Sequence, residues 1–221
     1  MARILMIGTH HDDPDGPERL KRRLGEESPD VIICEGSEAK IEGHQKYLEM
    51  LRIEAAKLSV GRSRIRKFLA YEEMAGYEMR TSRQFCESRG LPFFYFNDSG
   101  HILTPEERER NVGKFIKVIQ TINPDKVTEA MRKDCDDIYR MLNRVMGTPQ
   151  ELVMVSHISG YYEHIGPRDA EMEMGLRGLL PEFIDKNIAC VNGYKHILRD
   201  PQGLSFYSRI RDLKPERGLI R

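Results

Sequence analysis

The chain has 221 residues, and 35 Lys plus Arg balance 35 Asp plus Glu for a formal net charge of zero. That length suffices for one substantial core, and the balance excludes a field that would draw in nucleic acid or an acidic membrane surface. No stretch approaches the ~20 apolar residues of a membrane span, and the apolar run at 4–7 is too short for a signal-peptide core, so the expectation is a cytoplasmic protein.

Residues 2–9 are apolar with little alternation, the pattern of a strand buried on both faces. Residues 14–27 carry Leu20 and Leu24 four apart and read as a helix, and "DVIICEG" at 30–36 is a second buried strand. Strand, helix, strand in this span is the signature of a parallel sheet. Residues 37–58, with Ile41, Tyr47, Leu48, Leu51 and Ala55 at three/four spacing, predict a long helix. Residues 65–89, with Phe68, Leu69, Met79 and Phe85, predict another that Gly90 ends. "LPFFYFND" at 91–98 is a third strand.

Thr104-Pro105-Glu106-Glu107 is a capping-box pattern with proline at the first helical position, and opens a helix at 105–122. Further helices are expected at 124–146, 149–164 and 168–180, with Pro181 as a break. "NIACVNG" at 187–193 is a fourth buried strand, and "LSFYSRI" at 204–210, after the turn "DPQG", suggests a fifth at an edge. The fold class expected is α/β: a single domain over 1–221 with a central, mostly parallel sheet and helical insertions at about 37–90 and 104–185. Cys34, Cys86, Cys135 and Cys190 form no C-x-x-C pair. Cys34 and Cys190, inside apolar runs, read as small buried hydrophobes, and with no disulfide framework a reducing interior is expected.

Two strand ends carry the chemistry. Gly8-Thr9-His10-His11 closes the first strand and Gly193-Tyr194-Lys195-His196 the fourth, and both read G-x-x-H. Chance supplies roughly half an occurrence from this composition, so one match means nothing and two at the ends of buried strands carry weight. Ligands of parallel sheets bind beyond the carboxyl ends of the strands. If the two strands are neighbours, His11 and His196 meet at one site.

Glu35 closes the second strand after "VIIC", where a carboxylate is costly to bury unless paired or bound. His11, Glu35 and His196 form a two-His-one-carboxylate set suited to a zinc, manganese or cobalt ion with an open position. The same set suits metal-free chemistry with a histidine as general base, and sequence leaves both open. Asp12, Asp13 and Asp15 read as caps of the following helix, His10 as a bystander pointing away from His11, and His157 and His164 as surface histidines. His101, beside Asp98, is a further candidate for the cleft. No phosphate-binding glycine loop and no G-x-S-x-G elbow occur.

The paired "GTHH" and "GYKH" with "VIICEG" between them resemble the TraB/PrgY superfamily. That group includes Tiki and GumN-like proteins and, more distantly, erythromycin esterases and ChaN-like haem binders. "AGYEMR" at 75–80 is similar to that group's G-x-E-M segment, Asp98 to an acidic position after the third strand, and "PRDAEM" at 167–172 to its R-[DN]-x-x-M segment. The resemblance implies a metal-assisted, hydrolase-like site on His11, Glu35 and His196, with Arg168 and Glu78 as supporting residues. It departs at His10, at "DDPDG", and at "NDSGH", which lacks the usual arginine. The expected function is hydrolysis of a peptide or small-molecule substrate, with a homodimer open. The alternatives are a non-catalytic regulator that captures a peptide or ligand, and haem or iron binding through a histidine.

Overall fold

The computed structural model describes residues 2–96, 102–158 and 165–220. Five parallel strands form one sheet: β1 (Arg3–Thr9), β2 (Val31–Cys34), β3 (Phe93–Tyr95), β4 (Asn187–Gly193) and β5 (Glu216–Leu219), in the order β3-β2-β4-β1-β5. The α/β architecture expected from the sequence is therefore present. The last long strand, β4, inserts between the first two, pairing Met6 with Cys190 on β1 and Ile33 with that same residue on β2.

Residues 4–9 of β1, all of β2 and 188–193 of β4 are buried. Alternate side chains of a strand face opposite sides, so both faces of the sheet centre are covered. The edge strands β3 and β5 are only half-buried. The cover comes from helices α1 (Gly16–Glu27), α2 (Glu38–Ala56), α3 (Arg62–Met74), α4 (Tyr77–Arg89), α5 (Pro105–Thr121), α6 (Pro124–Val145), α7 (Pro149–His157), α8 (Pro167–Leu179) and the one-turn α9 (Phe206–Arg209). Leu20 and Leu24 of α1, Tyr77 and Phe85 of α4, Tyr139 and Leu142 of α6, and Met172 and Leu176 of α8 join the strands in one core. Tyr47, Leu48 and Leu51 of α2 meet Val112 of α5 in a smaller satellite core.

Two expectations are corrected. Residues 204–210 are not an edge strand. Phe206 and Ile210 are both buried four residues apart, a helical spacing, and Ser205 Oγ accepts the Ser208 N–H as a cap, so one helical turn forms instead. The fifth strand is the polar segment Glu216–Leu219, whose edge position removes the demand for apolar residues. The single helix expected over 65–89 is two, because Ala75 leaves the helical region and Gly76 takes a left-handed φ of 70°. The capping box is present: Glu107 N–H donates to Thr104 Oγ1 at 3.2 Å and Thr104 N–H to Glu107 Oε2 at 2.9 Å. All four cysteines are free thiols and buried. Among the described residues no helix is long and apolar enough to cross a membrane.

Candidate functional site

Because β4 lies parallel between β1 and β2, the segments after the three strands emerge together at the carboxyl ends of the central strands. Glycine makes this convergence fit. A Cβ on Gly193 would lie 2.7 Å from His11 Nε2 and 3.5 Å from Glu35 Oε2, and one on Gly8 would lie 2.5 Å from Ile197 Cδ1. Each G-x-x-H glycine thus makes room for the other motif's segment. His196 follows β4 on a short 3-10 turn and brings its Nε2 to 3.5 Å from Glu35 Oε2. The structure therefore brings His11, Glu35 and His196 together at the strand ends, with His196 Nε2 beside Glu35 Oε2 and His11 Nε2 across Gly193 from it.

Both rings are held from behind. His11 Nδ1 sits 2.7 Å from Glu78 Oε1 on α4, and His196 Nδ1 sits 2.7 Å from Asp169 Oδ1 on α8. A carboxylate only accepts, so each Nδ1 carries the proton and each Nε2 is the outward atom. The carboxylates are fixed in turn. The Thr9 hydroxyl lies 3.0 Å from Glu78 Oε1, and Asp169 Oδ2 accepts the Phe206 N–H. Glu35 is oriented by Arg168, which donates to Oε1, and by the Gly193 N–H, which donates to Oε2 at 2.7 Å. Arg168 thus contacts Glu35, and Glu78 contacts His11.

Charge follows from this packing. Burial opposes protonation of His196, but Glu35 and Asp169 outweigh it and push the ring up to about 10. For His11 burial also opposes the charge, and Glu78 with Glu35 overcomes it, raising the ring to about 9. The His11 side chain keeps 56% of its surface exposed, against 6% for His196, so solvent screens the first more than the second. Burial would lift the Glu35 carboxyl; the two histidines and Arg168 instead hold it well below the usual carboxylate range.

His11, Glu35, Glu78 and Arg168 line a cavity of about 370 Å³ whose wall also includes Lys40, Gly76 and Met79. At its base lies Asn192, fully buried, with neither its amide nitrogen nor its oxygen hydrogen-bonded. Asp169, Thr9 and Asn192 are the residues sequence reading missed. Asp169 stands next to Arg168 within "PRDAEM", at the [DN] position of the R-[DN]-x-x-M segment and in the first turn of a helix.

Other candidates separate from this cluster. The His10 ring stacks on Tyr194 at 5.6 Å and lines a different cavity with Asp12 and Ile138. Asp15 occupies the N-cap position of α1 without capping it, because its carboxylate goes to Arg132 at 2.8 and 3.0 Å; Asp13 Oδ1 accepts the Asp15 N–H instead. His157 ends α7. Asp98, His101 and His164 lie outside the described residues.

As a metal centre the donors fit in kind and orientation. Two Nε2 atoms backed by carboxylates and one further carboxylate are the usual inner and outer partners of a divalent ion. As placed, no three His, Cys, Asp or Glu groups among the described residues stand at coordination spacing. No protein-family model, curated protein or solved structure matches this chain.

Proposed function

We propose that the chain is a TraB-like hydrolase in which His11, Glu35 and His196 hold a divalent metal at the carboxyl ends of the strands. The observation that carries this reading is the pair of carboxylate-backed histidines, Glu78–His11 and Asp169–His196, that flank Glu35, with His11 and Glu35 lining one cavity. The bound ion would supply Lewis-acid polarisation of a carbonyl and an activated water.

The chain's own residues divide the remaining work. Glu78 and Asp169 fix the tautomer and aim of each ring. Arg168 and the Gly193 N–H hold the Glu35 carboxylate in one orientation. The electrostatics argue against the metal-free general-base alternative. With both rings raised above neutrality they carry protons at pH 7, and Glu35 held far below its usual range is a weak base. A cation that displaces those protons relieves this state, which makes metal affinity rise with pH.

The test is metal content and turnover together. Protein purified under metal-replete conditions should hold a stoichiometric divalent ion and cleave members of a peptide and ester library. His11→Ala should lose the ion and Glu35→Gln the turnover. Stoichiometric metal unchanged in His11→Ala would overturn the assignment. A second reading, capture of a peptide or small molecule without turnover, is favoured by the larger cavity that adjoins the site.

A further inference from the structure

A second cavity of about 590 Å³ shares Lys40, Gly76 and Met79 with the wall of the first, so the two adjoin. Its size suits a small-molecule ligand, which typically occupies ~300–1,000 Å³. One side is aliphatic: Ile41 and Leu48 from α2 face Ile102 and Leu103 from the segment before α5. Ile102 sits over the helix at Gly43, with its Cγ2 3.4 Å from where a Cβ would stand, and is 46% exposed.

Arg80 lines the other side. Its Nη1 donates to the Ala75 carbonyl at 2.8 Å and its Nη2 to the Glu73 carbonyl, so these bonds go to neutral groups. The neighbouring Glu73 carboxylate is taken by Arg52 at 2.7 Å. Two of the five guanidinium N–H donors serve these carbonyls. Burial lowers the pKa of Arg80 despite the nearby glutamates, the mark of a positive charge that its surroundings under-compensate.

We propose that this cavity binds the non-reacting end of the substrate, and that this end is an aliphatic amino-acid residue with a free carboxylate. The aliphatic wall takes the side chain and Arg80 takes the carboxylate. An extended ligand with both features would reach from the apolar face and the half-buried Arg80 to the cavity that His11 and Glu35 line. The inference rests on reading the smaller cavity as the reaction site.

The experiment is binding, followed by NMR shifts or calorimetry, of N-acetyl-leucine against its uncharged analogue N-acetyl-leucinamide. The acid should bind at least about tenfold more tightly than the amide. Arg80→Met should remove that preference. Ile102→Asp, at an exposed position that leaves the core untouched, should weaken the acid by like-charge repulsion, and it carries the test should Arg80→Met fail to fold. Equal affinity for acid and amide, binding of neither, or an acid affinity untouched by Ile102→Asp would overturn the proposal. Selective acid binding without turnover of any substrate would instead overturn the hydrolase reading. Turnover without acid binding would overturn this one alone.

Discussion

Glu35 and Glu151 are both glutamates removed from solvent, and both face an arginine, yet their surroundings differ in kind. Glu151 on α7 is fully buried, and each of its oxygens meets one nitrogen of Arg217 and one backbone N–H: Oε1 that of Arg199 at 2.7 Å and Oε2 that of Gly147 at 2.8 Å. The Tyr207 ring covers the guanidinium at 3.8 Å. This is a closed joint, tying α7 to β5 and to the segment after β4. Around Glu35 one arginine and one N–H set the carboxylate, but its remaining neighbours are the His196 Nε2 and a cavity that His11 also lines. Saturation identifies a carboxylate that holds the fold; convergence without closure identifies one available to a ligand.

The contrast breaks first under truncation. Glu151→Ala should cost about 3–5 kcal/mol in urea unfolding, because Arg217, 10% exposed, loses its counter-charge in place. Glu35→Gln should cost clearly less while abolishing metal binding. The reverse ranking would erase the distinction between the two networks.

The next effect is on pH. A histidine whose folded pKa exceeds its unfolded value stabilises the fold fully below the unfolded value and loses that contribution as pH rises through the folded one. Metal-free protein should therefore lose stability from pH 6.5 up to about 10, the range set by His196. Glu35, shifted down, adds the opposite limb: its contribution is present above its ordinary range and is lost on acidification. Urea midpoints measured across pH should fall on both sides of a maximum, and His196→Gln should flatten the alkaline limb. A flat alkaline limb in the unaltered protein would mean the rings are not held as cations.

Smaller effects sharpen the roles behind the histidines. Asp169→Asn keeps the shape but not the charge, and should weaken metal affinity about 10–100-fold while His196 titrates at lower pH by NMR. Glu78→Gln should do the same to His11 by less, since that ring is half in solvent. The smallest is Thr104→Ala, which removes an exposed cap of α5 for about 1 kcal/mol and should leave metal binding unchanged.

Local rules made much of this legible. The buried strands announced themselves as unbroken apolar runs, and Thr104 with Glu107 announced a helix start. The two G-x-x-H motifs were readable because glycine is needed where backbones and rings crowd. What stayed hidden depends on partners distant in sequence. β5 has no apolar signature because it is an edge, and residues 204–210 looked like a strand until burial of Phe206 and Ile210 selected a helical turn. Asp169 looks like any acid in a first helical turn, and only the fold turns it toward His196. The aliphatic wall that adjoins the site joins α2 to residues 102–103, which nothing in local periodicity connects.

The place of β4 has a consequence for how the molecule comes into being. Its pairing partners precede it by more than 150 residues, as the register of Met6 and Ile33 with Cys190 shows. During synthesis β1 and the edge of β2 that faces it therefore stay open until residues 187–193 leave the ribosome. The sheet closes late, and the same event brings His196 to Glu35. A nascent chain halted before residue 187 would lack His196, with β1 unpaired and β2 paired to β3 alone, so the sheet centre and the site are acquired in one step.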